Sequence, residues 1–175
     1  RKIDGAPLRI AFLGDSFIEA DIFTLDLRKF LQSRYGGGGA GWMPFSSEVS
    51  GYRQGITHSF SGWKDHFIIR QSKELYPLTG HYYTCEGAAT LQYKVAKGYT
   101  PWDCATIFYT SNKEVQVTMS NADTTQRYSL PPSAEMNAYA IKGQGGEMKL
   151  SFSGAEGARF RSEERRVGKE CASMC

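Results

Sequence analysis

Residues 51–154 contain a series of short stretches in which apolar and polar residues alternate, and this pattern constrains the fold more than any other feature. The stretches are HFIIRQ, TLQYKVAK, ATIFYTS, EVQVTMS, MNAYAIKG and EMKLSFSG. Alternation of this kind is typical of half-buried strands, and turn-forming residues such as LPPS and GQGG separate the stretches. We therefore expect residues 51–154 to form an all-β antiparallel sandwich that is jelly-roll-like.

Residues 1–50 have a different character, which predicts the opening of an α/β fold. The apolar stretch PLRIAFLG predicts a buried strand over residues 8–13 that ends at Gly14. Apolar residues then recur at helical spacing and predict a helix over residues 17–34. The glycine run that follows cannot hold a helix and predicts a loop.

The ends of this helix carry recognisable signals. Ser16 is the expected N-cap, Glu19 is its capping-box partner, and Gly36 is the expected C-terminal stop. A serine between a strand and a helix can also act as a nucleophile, because ligands bind at the carboxyl edge of such sheets and free N–H groups of the first turn can face an oxyanion. Ser16 is thus either a helix cap or a catalytic residue.

The motif Gly14-Asp15-Ser16, with Ala20-Asp21 and the glycine-rich YGGGGAGWMPF after it, resembles the first block of the SGNH/GDSL serine hydrolases. It is most similar to the bacterial polysaccharide and peptidoglycan O-acetylesterases, in which a carbohydrate-binding-like β-sandwich is inserted after that block. The resemblance implies that the first strand and helix belong to a flavodoxin-like sheet. It also implies an esterase that needs no cofactor and no metal.

The same resemblance implies roles for individual residues. Ser16 would be the nucleophile, and its own backbone N–H would be one oxyanion donor. Asp15 would orient the turn between strand and helix, and Asp21 would have a structural role. Phe17 stands where this group of esterases has a histidine, so a contact with the substrate would differ here.

The resemblance divides the chain into four parts. Residues 1–50 would be the N-terminal piece of the hydrolase domain, residues 51–154 the inserted sandwich, and residues 155–160 the return to the catalytic domain. The sequence RSEERRVGKEC, which begins the last part at residues 161–175, matches the translation of a common sequencing adapter. We therefore expect a truncated gene fragment that ends in an adapter-derived tail.

The catalytic acid and base of the resembled family, spaced D-x-x-H, are absent from this chain. The three histidines, His58, His66 and His81, all lie in the expected sandwich, and their spacing is not that of a metal site. We therefore expect the fragment as it stands to lack esterase activity. Outside the tail, Cys85 and Cys104 either form one disulfide or are two buried thiols.

Several aromatic residues offer faces that stack on sugar rings or that fill the sandwich core. They are Trp42, Trp63, Tyr82, Tyr83, Tyr99 and Trp102. Most are expected in the core. Trp63 and Trp102 are the expected substrate-binding pair, because SGWKD and TPWDC are turn-like contexts.

The sequence thus predicts a serine ester hydrolase that removes O-acyl groups, and specifically acetyl groups, from a polysaccharide or from peptidoglycan. Two alternatives remain open: an O-acyltransferase on the same scaffold, and a carbohydrate-binding module without catalysis. A net charge of +3 is too small to indicate nucleic acid, and no apolar stretch is long enough to span a membrane. A periplasmic or extracellular location is expected.

Overall fold

The computed structural model describes residue 10 and residues 12–70, 73, 75–99 and 101–167. Its helices are α1 (Ser16–Glu19) and α2 (Thr24–Tyr35), with one 3-10 turn at Ser50–Tyr52. Its strands are β1 (Gly38–Met43), β2 (Ile56–Ser61), β3 (Lys64–Phe67), β4 (His81–Thr84), β5 (Ala89–Val95), β6 (Trp102–Ser111), β7 (Val115–Ser120), β8 (Thr125–Leu130), β9 (Ser133–Gly145), β10 (Glu147–Ser153) and β11 (Arg159–Val167).

The strands of the described residues form two sheets that pack face to face. The six-stranded sheet, called sheet A, has the order β3-β4-β11-β6-β9, and β1 pairs with the far end of β11. The five-stranded sheet, called sheet B, has the order β2-β5-β10-β7-β8. The pairs in both sheets are antiparallel. This confirms the predicted sandwich, although β1 and β11 carry it beyond residues 51–154.

The glycine run, expected to be a loop, forms strand β1. Trp42 and Met43 of β1 pair with residues 164 and 163 of β11, and the register shifts between Gly38 and Gly41. Gly41 has a φ of 71°, which other residues rarely adopt. The structure of this segment is therefore decided by backbone hydrogen bonds to a distant strand, and the preference of the glycines for a loop is overridden.

The single helix expected over residues 17–34 is broken at Asp21. This residue has a φ of 61°, and its backbone N–H donates to Ile18 O at 3.0 Å. Its buried carboxylate accepts hydrogen bonds from the Thr24 hydroxyl and from Arg28. Asp21 therefore ends one helix and supports the first turn of the next, a structural role that the resemblance also implied.

The caps of the two helices differ in part from the prediction. The N-cap of α1 is Asp15, whose carboxylate accepts from the Phe17 N–H at 3.0 Å, so the prediction that Ser16 caps the helix is wrong. Glu19 is not a capping-box partner and instead accepts a hydrogen bond from Ser47 Oγ at 2.6 Å. Gly36 is confirmed as the residue that ends α2, with its N–H on Gln32 O.

The α/β part of the predicted fold is not found. Half of the expected strand over residues 8–13 lies outside the described residues, and Ile10, Phe12 and Leu13 are not in a strand. In the described part of the chain no two strands pair in parallel. Helix α2 instead lies against the sandwich, where its Gln32 amide donates to Gly39 O at 3.0 Å.

The centre of the sandwich is an aromatic cluster around Phe45, in the segment that follows β1. Phe45 is fully buried. Its ring centroid lies 4.7 Å from that of Trp63, 5.2 Å from Phe160, 5.7 Å from Tyr83 and 5.8 Å from Phe152. These partners come from both sheets, so Phe45 connects the two inner faces.

The side chain of Arg53 ties the N-terminal segment to the sandwich. Its Nε and Nη2 donate to Glu19 O at 3.1 and 2.6 Å. Burial lowers the pKa of this guanidinium from its ordinary value, and the nearby carboxylate of Asp21 raises it in part.

Candidate functional site

Ser16, the expected nucleophile, lies on a short helix outside the sandwich. Ser16 is exposed at the start of the four-residue helix α1. In the described residues its hydroxyl makes no hydrogen bond to a histidine or a carboxylate. Among the described residues no parallel sheet accompanies helix α1, so the α/β setting that the resemblance implied for this serine is not found there.

The three histidines all belong to the sandwich, as expected, and each has partners there. The ring of His58 is buried and stacks on Tyr93 with centroids 4.6 Å apart. His66 Nε2 lies 2.9 Å from the Thr84 hydroxyl. His81 Nδ1 lies 2.9 Å from the Asp65 carboxylate. No group of side chains suited to hold a metal ion is found in the described ranges.

Of the two tryptophans expected to bind substrate, Trp102 lies in the interior and Trp63 packs against the core while remaining partly exposed. Trp102 is 1% exposed. A Cβ on Gly143 would come within 2.6 Å of its ring, so this position must lack a side chain. Trp63 is half-buried, packs edge-on against Phe152 at 5.0 Å, and donates its indole N–H to Thr90 O at 3.0 Å. The expectation that they are an exposed pair is therefore wrong, because packing outweighs the turn-like sequence around each.

The exposed tryptophan is Trp42, on the outer face of sheet A. It is 43% exposed, and its ring stacks on Phe108 with centroids 5.4 Å apart and an interplanar angle of 30°. Side chains alternate across a strand, so Phe108 lies on the opposite face from its neighbours Ile107 and Tyr109, which are in the core. The Trp42–Phe108 pair thus forms an aromatic platform open to solvent.

A second group of side chains lies on the same face, next to the platform. The Arg159 guanidinium lies 5.1 Å from the centroid of the Tyr82 ring, which is itself stacked on His66 at 4.3 Å. Arg159 pairs with Thr110, two residues along β6 from Phe108, so the two groups are one strand repeat apart. We call Trp42, Phe108, Arg159, Tyr82 and His66 the outer strip.

The outer strip combines what sugar recognition requires. An aromatic ring offers apolar surface to the C–H face of a sugar, and a guanidinium or an imidazole forms hydrogen bonds with hydroxyl groups. The outer face of sheet B, at its described positions, has no aromatic ring on which a sugar could stack. Its described outward positions carry only polar residues, such as Thr57, Gln92 and Lys149.

The cleft between α2 and the sandwich is too small to hold a sugar. Its volume is about 40 Å³, which holds a few water molecules at most. Lys29 lies 4.5 Å from the centroid of the Tyr99 ring at its rim. A hydrogen bond with Tyr99 raises the pKa of Lys29 above its ordinary value.

The comparison with solved structures found carbohydrate-binding modules at low sequence identity. A family 29 carbohydrate-binding module is 14% identical, covers 74% of this chain and 94% of its own, and has a TM-score of 0.44. A second variant of a family 29 module is 12% identical, with coverages of 75% and 93% and a TM-score of 0.48. A third module, complexed with mannohexaose, is 12% identical, with coverages of 78% and 98% and a TM-score of 0.45.

No family model and no curated protein matches the chain. The similarity to the modules is too low to transfer their ligands to this chain.

The predicted membership of the SGNH hydrolases is wrong. The described part of the chain is nearly all β, and its described strands pair antiparallel, whereas the flavodoxin-like sheet of that family requires parallel strands. The prediction of an ester hydrolase was based on that family and is wrong with it, whereas nothing tests the roles predicted for Ser16 and Asp15. In the structure Asp15 is the N-cap of a short helix.

The cysteines and the tail bear on the remaining expectations. Cys104 is disulfide-bonded and Cys85 is a buried free thiol, so the two do not pair with each other.

Strand β11 runs to Val167, so the adapter-like sequence begins inside a strand. The adapter origin and the periplasmic or extracellular location stay predictions. In the described residues, no helix has the length and apolarity that crossing a membrane requires.

Trp42 is the candidate binding residue that the sequence does not single out. It is one of the six aromatics that the sequence offers for stacking, but the glycines before it predict a loop. If GGAGWM had been recognised as a strand, the alternation between Trp42 and the core residue Met43 would have placed the tryptophan on the outer face.

Proposed function

We propose that this chain is a carbohydrate-binding module without catalysis, and that it binds polysaccharide on the outer strip of sheet A. This is the alternative that the sequence left open beside the hydrolase. The observation that carries the proposal is the solvent-open stack of Trp42 on Phe108. Arg159 lies on the same face, since its partner Thr110 is two residues along β6 from Phe108.

Binding would need little rearrangement of the protein. The Trp42 ring is held by its stack on Phe108, and Arg159 is positioned by the Tyr82 ring, so few rotamers are lost when a glycan is bound. A sugar ring would lie over the exposed part of the indole. Its hydroxyl groups would then reach the guanidinium one strand repeat away.

The test is native electrophoresis through gels that contain soluble polysaccharide, such as glucomannan, xylan, hydroxyethylcellulose or polygalacturonate. The wild-type protein should be retarded by at least one of these polymers. Trp42→Ala should weaken binding by about 2 kcal/mol or more, roughly thirtyfold, as expected for a central aromatic anchor.

The matched control is Tyr52→Ala, which removes an aromatic side chain that is 68% exposed but lies outside the outer strip. This variant should bind like the wild type. Equal losses for both variants would indicate non-specific adhesion, and no retardation of the wild-type protein by any polymer would refute the proposal.

A further inference from the structure

The outer strip continues into a row that carries two exposed basic residues. Lys64 pairs with Thr84 in the β3–β4 ladder, and Arg159 pairs with Thr110 in the β11–β6 ladder. Since Phe160 pairs with Tyr83, the residue opposite Thr84 on β11 is Arg159. Lys64 and Arg159 therefore lie on the same face, two strands or about 10 Å apart at the backbone.

The Arg159 guanidinium is oriented before any ligand arrives. It lies over the Tyr82 ring, and that ring is supported from another side by His66 and by Tyr76, whose centroid is 5.4 Å away. A guanidinium stacked on an aromatic face keeps its N–H donors free at its edge. Those donors match the two oxygens of a carboxylate.

Neither basic residue has a carboxylate partner in the part of the chain that the structure describes. Asp65, which neighbours Lys64, contacts His81, and Glu156, which precedes Arg159 by three residues, contacts Lys113 at 3.0 Å. The remaining described ion pairs involve other residues. The row thus presents two positive charges, and none of the described ion pairs includes either of them.

We propose that the outer strip selects acidic polysaccharides, whose sugars carry carboxylates, over neutral ones. This inference rests on the proposed function, because Trp42 supplies the stacking surface for either kind of chain. The carboxylate of a uronate unit accepts two hydrogen bonds from Arg159, and a second carboxylate along the chain meets Lys64. A neutral chain satisfies only the stacking and leaves both cations without an anionic partner.

The experiment compares polygalacturonate with its fully methyl-esterified form, since the two polymers share a backbone and differ in charge. Titration calorimetry with the whole chain at low ionic strength should show at least about tenfold tighter binding of the acid form. Arg159→Gln and Lys64→Gln should each reduce this preference, and 0.5 M salt should reduce it too, because screening weakens exposed ionic contacts. Lys149→Gln, on the outer face of sheet B, is the matched control and should leave the preference unchanged.

The outcomes separate this inference from the proposed function. Equal binding of both polymers, or a preference that survives Arg159→Gln together with Lys64→Gln, would overturn the acidic selectivity and leave the glycan-binding module standing. If Lys149→Gln reduced the preference as much as Arg159→Gln and Lys64→Gln do, the preference would come from the net charge of the protein. That result would also overturn the inference. Failure to bind the acidic polymer and every neutral polysaccharide would refute the proposed function itself.

Discussion

Replacing Phe45 by alanine should be among the most destabilising single changes in this protein. The side chain is fully buried, and four aromatic rings from both sheets lie with centroids within 5.8 Å of its own. Removing a buried phenylalanine costs about 3–5 kcal/mol, through lost transfer energy and the cavity left behind. The upper part of this range applies, because rings that hold one another in place cannot easily collapse into the gap.

Urea unfolding, followed by tryptophan fluorescence, measures this cost. With a denaturant slope of about 2 kcal/mol per molar, a loss of 4 kcal/mol lowers the midpoint by about 2 M. Phe45→Leu keeps most of the volume and should lose less than about 2 kcal/mol, which covers the case in which the alanine variant does not fold. The control is Phe60→Ala, at a position 39% exposed on the edge strand β2. A Phe45→Ala midpoint no lower than that of Phe60→Ala would refute the central position given to Phe45.

Three further predictions concern other parts of the molecule. Cys85 should react slowly with iodoacetamide at pH 8 until the protein is unfolded, because burial raises the pKa of its thiol; fast labelling of its peptide in mass spectrometry would be inconsistent with this. Burial raises the pKa of Tyr83 well above 10, so the contribution of its neutral phenol to stability is complete below pH 10 and is lost as the pH rises further. Tyr83→Phe should therefore flatten the fall in thermal stability above pH 10. An unchanged slope would show that the ionisation of Tyr83 does not cause this fall. Arg53→Ala should release the N-terminal segment from its contact at Glu19 O, so limited proteolysis should cut that segment sooner while the sandwich resists; an unchanged cleavage pattern would show that the contact does not hold the segment.

The strands of the sandwich could be predicted from sequence because their pattern is local. In TLQYKVAK, the residues Leu91 and Tyr93 face the core while Gln92 and Lys94 face outward, so the period of two is visible in the letters themselves. The end of α2 at Gly36 was predictable for the same reason, since a glycine with positive φ is a local stop signal.

The parts that sequence did not predict depend on distant partners. Strand β1 exists because β11, more than a hundred residues away, pairs with it. Trp63 and Trp102 are covered by residues from other strands, so no local context could tell which tryptophan stays exposed. The motif around Ser16 matches the hydrolases in residue types over a short stretch. Such a match carries no information about the sheet that must surround the serine, so it could not predict the fold.

The central claim is that glycan binding takes place on the ring of Trp42, and tryptophan fluorescence tests it most directly. The chain contains three tryptophans; Trp102 lies in the interior, and Trp63 is half-buried against the core. Titration with the best-retained polysaccharide should shift the wild-type emission, because a stacked sugar shields the exposed indole from water. The shift should disappear in Trp42→Ala and remain in Trp63→Phe. A shift that persists in Trp42→Ala, with unchanged affinity, would contradict the account and place the binding site elsewhere on the sandwich.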